Sequence, residues 1–186
     1  MRSIDERRAY EEQLFAAAMT DPLTRLTNRR AFLAMLGHMV EEQGAGCLAL
    51  FALDGLKGIN RQHGQAAGDA ALVAFAEALR DLFRSQDIIS RVGGESLGVL
   101  LPGVDAEAAE ALCRRVIAAL AQHREVTGAG PVALTASAGV ASLGGSIDET
   151  LKRAETALFL AKAKGRNRLE VDGKAHFGWQ GEARAS

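Results

Sequence analysis

"DIISRVGGESLGVLLP", residues 87–102, is a pair of apolar runs parted by two glycines and an acid. Ile88, Ile89 and Val92 stand before the glycines, and Leu97, Val99, Leu100 and Leu101 after them. Gly93 and Gly94 give the backbone the freedom a tight reversal needs, so the stretch predicts a β-hairpin with Glu95 at its turn. A carboxylate held at such a turn is placed to bind a cation or to move a proton. Its neighbour Ser96 carries no charge to add to that task.

Outward from the hairpin, strand and helix patterns alternate. "GCLALFALD" (46–54) reads as a buried strand, "PVALTASAGVAS" (131–142) as a half-buried strand, and "RLEVD" (168–172) as a last edge strand. Helical patterns cover 4–20, 70–86, roughly 104–123 and 148–164, the last stopped by Gly165. Another runs through "RRAFLAMLGHMVEEQ" (29–43) behind Pro22, with Thr27 or Asn28 as its cap. The segment "GLKGINRQHGQAAGD" (55–69) is expected to be a polar loop. Interleaved strands and helices with one hairpin give an α/β (α+β) class: a mixed, mostly antiparallel five-stranded sheet flanked by helices.

With 186 residues and 48% hydrophobic side chains, the chain holds one principal domain. The expected division is a lead-in helix over 1–19, a domain over 20–172 and a mobile tail over 173–186 that contains Phe177 and Trp179. The lead-in helix has a thin apolar stripe, Ile4, Tyr10, Leu14 and Phe15, which suits pairing with another helix, packing back on the domain, or solvent. Twenty-two basic and 23 acidic residues leave a net charge of -1, so no charge excess points to nucleic acid. Neither a membrane span nor a signal peptide is legible, and the expected location is cytoplasmic. Cys47 and Cys113 lack metal-site or redox spacing and are expected as buried thiols, and the four histidines form no ligand pattern.

Four segments in register, "DPLTRLTNRRAF", "LDGLKGINRQHGQAAGD", "RVGGESLGVLLP" and "ALFLAKAKGRNR", resemble the GGDEF domain of diguanylate cyclases. Those enzymes condense two GTP into cyclic di-GMP. The resemblance covers about residues 20–171 and implies a palm-like fold with the hairpin turn over the nucleotide. Joining a hydroxyl to an α-phosphate needs positioned phosphates and divalent metal held by oxygen ligands. The resemblance puts one metal-ligand aspartate of the family at Ala52, whose methyl group coordinates nothing. Asp54 matches the second acid, two residues along the strand and about 6 to 7 Å away, too far to serve the same metal. Glu95 matches the metal-binding acid of the turn, while Ser96 and Leu97 replace the next acid and its aromatic neighbour. Cyclase activity is therefore expected to be absent, with Glu95 a remnant that holds magnesium at most weakly, together with GTP.

The resemblance assigns Asn60 and Asp69 to guanine and Lys162 and Arg166 to the triphosphate, whereas Arg61 and Gln65 depart from the usual loop. The alternative is that Asn60 caps a turn and the two cations are solvated. "RSQD", Arg84 to Asp87, falls where the family has an RxxD inhibitory site for the cyclic dinucleotide, with Arg115 as a further arginine and Arg114 its nearest rival. Arginine can fork onto guanine O6 and N7 or onto a phosphate, and aspartate can accept from guanine N1 and N2. In isolation the same pair is an ordinary surface ion pair. The leading expectation is a cyclic di-GMP receptor with a downstream protein partner or linked domain. Open beside it are a GTP-binding regulatory domain, a residual cyclase, a ligand-free interaction module, and a homodimer.

Overall fold

The computed structural model describes residues 2–122, 124–127 and 130–173, with side chains for 4–122 and 134–173. The chain runs α1 (Arg2–Met19), β1 (Thr27–Asn28), α2 (Arg29–Glu41), β2 (Gly46–Leu53), α3 (Leu56–His63), α4 (Gln65–Leu82) and β3 (Ile88–Arg91). It continues through β4 (Ser96–Pro102), α5 (Ala106–Gln122), β5 (Arg124–Thr127), β6 (Gly130–Ala133), β7 (Ala136–Ser142), α6 (Ile147–Ala163) and β8 (Leu169–Val171).

The 87–102 stretch is the expected hairpin: β3 and β4 pair antiparallel, with Ile88 opposite Leu100 and Arg91 opposite Leu97. β2 lies at the centre between β4 and β7, antiparallel to both, and the sheet order is β1-β3-β4-β2-β7-β8. The sheet thus has six strands rather than five. The addition is the two-residue β1, which pairs parallel to β3. Asn28 serves strand and helix at once. Its extended backbone ends β1, its Oδ1 accepts from the Ala31 N–H at 3.1 Å to cap α2, and its amide donates to the Ala18 carbonyl at 2.7 Å.

Two other expectations are corrected. Of the expected 55–69 loop, residues 56–63 form a helix and 65–69 open α4; Leu56 and Ile59, one turn apart, are buried in the core where α3 packs on α4. Two apolar positions are too short a stripe to stand out among polar neighbours. The expected 131–142 strand is broken: β6 forms a separate hairpin with β5, and only Ala136–Ser142 joins the main sheet. β7 does not alternate either, since six of its seven residues are buried. Helices cover both of its faces, and its small side chains admit close approach. A Cβ at Gly139 would sit 2.2 Å from the Ala154 carbonyl oxygen and 2.3 Å from the Leu158 nitrogen, so glycine is what lets α6 seat on the strand.

β2 divides the core. Cys47, Ala49, Phe51 and Leu53 face a larger cluster with Phe75 and Leu79 of α4, Phe83 just past its end, and Cys113 and Leu120 of α5. Phe51 meets Phe75 and Phe83 edge to face, with ring centroids 6.4 and 6.1 Å apart. Leu48 and Leu50 face the other cluster, with Phe32 and Leu36 of α2 and Ala154 of α6. Both cysteines are free and buried. On α1, Ile4, Tyr10, Leu14 and Phe15 are all exposed, so the stripe does not fold back onto the domain. Phe177 and Trp179 of the expected tail lie outside the described residues. Among the described residues, no helix is long and apolar enough to cross a membrane.

Candidate functional site

The hairpin turn is fastened by its own strand. Arg91 Nη2 donates to the Gly94 carbonyl at 3.0 Å and Nε to the Gly93 carbonyl at 3.3 Å, while Nη1 reaches both oxygens of Asp21 at 3.3 Å. Asp21, just past α1, also accepts from the Thr24 N–H and hydroxyl at 2.9 and 2.8 Å. Burial pushes the Asp21 carboxyl up, but the Thr24 and Arg91 donors outweigh it and hold it below the usual carboxylate range. The sequence pattern did not single out this Asp21–Arg91 tie, because 70 residues separate its ends.

At the inner end of the hairpin, Ala52 pairs with Ser96 on one side and Ser137 on the other. Ala52 and Ser96, the two positions at which the resemblance expects carboxylates, are therefore cross-strand neighbours. Ala52 is fully buried. Asp54 is engaged by protein donors: Ser137 Oγ at 2.8 Å on one oxygen, with Thr135 Oγ1 at 2.9 Å and the Asn167 N–H at 3.0 Å on the other. Glu95 faces the Lys162 ammonium at 3.9 Å. A methyl, a serine, a carboxylate occupied by three donors and one acid beside a cation do not make a magnesium-binding donor set. Among the described residues, no three His, Cys, Asp or Glu side chains converge as a metal site.

The expected nucleotide residues fall into adjoining hollows. One, of about 380 Å³, is lined by Lys57, Asn60, Gln65, Asp69 and Glu95 among others. The other, of about 200 Å³, is lined by Asp54, Lys57, Glu95, Lys162 and Arg166 among others. Asn60 and Asp69 are thus brought together, as are Lys162 and Arg166, with Lys57 and Glu95 on both walls. Lys57 was not singled out from the sequence. Asn60 does not cap a turn through its Oδ1, which is buried without a hydrogen-bond partner among the described residues. That atom lies where a Cβ on residue 68 would be, so Gly68 makes room for the amide. Asp69 accepts from Gln65 Nε2 at 3.1 Å, which occupies one of its carboxylate oxygens.

Arg84 and Asp87 close on each other across the end of α4. Asp87 accepts from the Arg84 N–H at 2.8 Å, from Nε at 3.1 and 3.2 Å, and from Nη2 at 2.6 Å. The hydrogen-bonded carboxylate raises the Arg84 pKa. Arg84 Nη2 also donates to the Pro102 carbonyl at 3.1 Å. The Asp87 side chain is 0% exposed and that of Arg84 41%. Asp87 therefore faces Arg84 and does not present its oxygens to a guanine edge, because the three-residue spacing lets it close on its own partner. What is presented is the outer edge of Arg84, in an open hollow of about 490 Å³ with Arg25, Arg80, Phe83 and Ile89 on its walls. Arg115 is exposed on α5 and is not one of the residues lining this hollow. Arg114 is engaged with Glu110 at 2.7 Å.

The model of the family described as "Diguanylate cyclase, GGDEF domain" matches residues 18–168. The diguanylate cyclase DgcP of Pseudomonas aeruginosa is 39% identical over 160 residues, covering 83% of this chain and 24% of that protein. DgcM of Escherichia coli, also named a diguanylate cyclase, is 36% identical over 176 residues, covering 91% of this chain and 42% of that protein. The chain thus spans less than half the length of these curated relatives. Among solved structures, the coiled coil and GGDEF domain of DgcB from Caulobacter crescentus, in complex with c-di-GMP, superposes with a TM-score of 0.85. It is 26% identical, over 91% of this chain and 94% of that one. Diguanylate cyclase SiaD with its activator SiaC, from Pseudomonas aeruginosa, gives a TM-score of 0.81 at 31% identity, over 91% of this chain and 68% of that one. With the hairpin, the sheet order and the family match in agreement, this chain belongs to the GGDEF family of diguanylate cyclases.

Proposed function

We propose that this chain is a catalytically inactive GGDEF domain that serves as a cyclic di-GMP receptor in bacterial second-messenger signalling. The observation that carries the reading is a contrast between two sites. The row Ser96–Ala52–Ser137, two of whose positions the resemblance gives to acids, holds no carboxylate, whereas Arg84 stands oriented by a buried Asp87 at the mouth of an open hollow. Held in this way, Arg84 keeps its Nη1 N–H groups for a guanine oxygen or a phosphate, and a two-nitrogen fork forms once the ligand displaces the Asp87 or Pro102 contact. Asp87 acts first by aiming Arg84; it becomes an acceptor for guanine N1 and N2 when the ligand displaces the Arg84 fork. Arg115, on the neighbouring helix, is a further cation for a ligand that extends past the hollow.

The relatives' name, diguanylate cyclase, belongs to proteins whose turnover this domain is proposed to have lost. Losing electrostatic stabilisation at a phosphoryl-transfer centre lowers rate by orders of magnitude. Incubation with GTP and magnesium or manganese is therefore expected to yield no cyclic di-GMP, and product above background would restore the residual-cyclase reading.

A second reading, a domain that binds GTP without turnover, is favoured by one specific observation. The Asn60 oxygen is buried without a donor beside Asp69, next to the hollow of Lys162 and Arg166. Guanine carries the N–H donors that such an oxygen lacks. Competition separates the two readings: Asp69→Ala is expected to abolish GTP binding and leave cyclic di-GMP binding intact. Displacement of cyclic di-GMP by GTP in the unmodified protein would place both ligands in one site and defeat the receptor reading. The downstream element in this proposal is a protein partner or linked domain reached through α1, whose exposed apolar residues also suit a second copy of the chain.

A further inference from the structure

Three guanidiniums and one carboxylate line the hollow beside Arg84, so it carries an excess of positive charge. Two of the three are committed to protein. Arg80 Nη2 donates to the Thr24 carbonyl at 2.8 Å, tying α4 to the turn that follows α1, and Arg84 is clamped by Asp87 and Pro102. Arg25 is different. It is exposed and, among the described residues, its side chain makes no hydrogen bond or ion pair.

The backbone beneath it is also unusual for an arginine. Arg25 has φ of 64°, the left-handed region that glycine enters freely and a residue with a Cβ enters at a cost. The turn dictates this: the Arg25 N–H donates to the Asp21 carbonyl at 2.9 Å and the Asp21 N–H to the Leu26 carbonyl at 2.8 Å. Glycine would suit the turn better, so the backbone is strained at a residue whose side chain lines the hollow. Leu26, Phe83 and Ile89 add apolar wall. Cationic edge and apolar wall together fit an anion that carries a flat ring, such as a purine nucleotide phosphodiester.

We infer that Arg25 is a ligand-binding residue of this hollow, donating to a phosphate oxygen of the nucleotide held there, an inference that rests on the receptor reading given above. It adds a cation that neither the RxxD spacing nor α5 supplies. Because Arg25 lies between α1 and β1, a ligand bridging Arg25 and Arg84 fastens the turn leading out of α1 to the end of α4, which gives occupancy a route to whatever α1 contacts.

The test is calorimetric titration of cyclic di-GMP into the full chain and its Arg25→Gly and Arg25→Gln variants, with melting temperatures taken without ligand. Arg25→Gly removes the cation and relieves the backbone, so it is expected to melt no lower than the unmodified chain yet bind roughly tenfold or more weakly. Arg25→Gln keeps the strained backbone and removes the charged guanidinium, and is expected to show the same weakening. Unchanged affinity in Arg25→Gln overturns the inference and leaves the receptor reading standing. Absence of binding by the unmodified chain defeats the receptor reading and the inference with it.

Discussion

Asp54 accepts from three protein donors, and the consequence is structural. Thr135, Ser137 and the Asn167 N–H converge on it, joining the end of β2 to the start of β7 and to the loop after α6. Removing the acceptor leaves these donors unpaired, so Asp54→Ala is expected to destabilise the fold by about 2 kcal/mol in denaturant titration. If no resident metal supports the site, a chelator will leave the melting temperature of the unmodified chain unchanged; a chelator-induced drop would show a cation hidden among these oxygens. At this scale the sequence was legible where chemistry sits in consecutive residues. Ala52, Ser96 and the Arg84–Asp87 spacing could be read directly. Arg25, Lys57 and Asp21 could not, because their roles arise only when distant segments meet.

Between elements, the tightest dependence is the tie that Arg91 makes from β3 to the turn after α1. Asp21 titrates below its ordinary range in the folded chain, so its contribution is complete above about pH 4 and is lost as pH falls through the folded value. Asp21→Asn is expected to lose on the order of 1 kcal/mol at pH 7 and to flatten the acid limb of a stability-versus-pH curve. An unchanged acid limb would mean that the tie adds nothing. A second contact to test is α6 on β7, where Gly139→Ala would drive a methyl into helix backbone that cannot swing aside. A loss of about 2 kcal/mol or more is expected, with the melting temperature as readout. The hairpin and the long helices were legible because their apolar periods run for several residues. The two-residue β1 and the eight-residue α3 were not, since their identity comes from pairing and burial rather than from local pattern.

Across the molecule, the GGDEF fold is intact around a centre that lacks carboxylates at positions 52 and 96, and the cationic hollow at the end of α4 lies apart from it. The fold class was legible because strands and helices interleave in the sequence; the charge of the hollow was not, since Arg25 and Arg80 are 55 residues apart and meet only in the folded chain. A ligand bound only by the folded state adds stability by mass action, about 2.7 kcal/mol at a hundredfold excess over Kd, so cyclic di-GMP is expected to raise the melting temperature of the unmodified chain. The most direct test of the account is a calorimetric titration of cyclic di-GMP into the unmodified chain and into Arg84→Ala. The account predicts binding at micromolar Kd or tighter in the first and none in the second. No binding by the unmodified chain, or equal binding by Arg84→Ala, would contradict it.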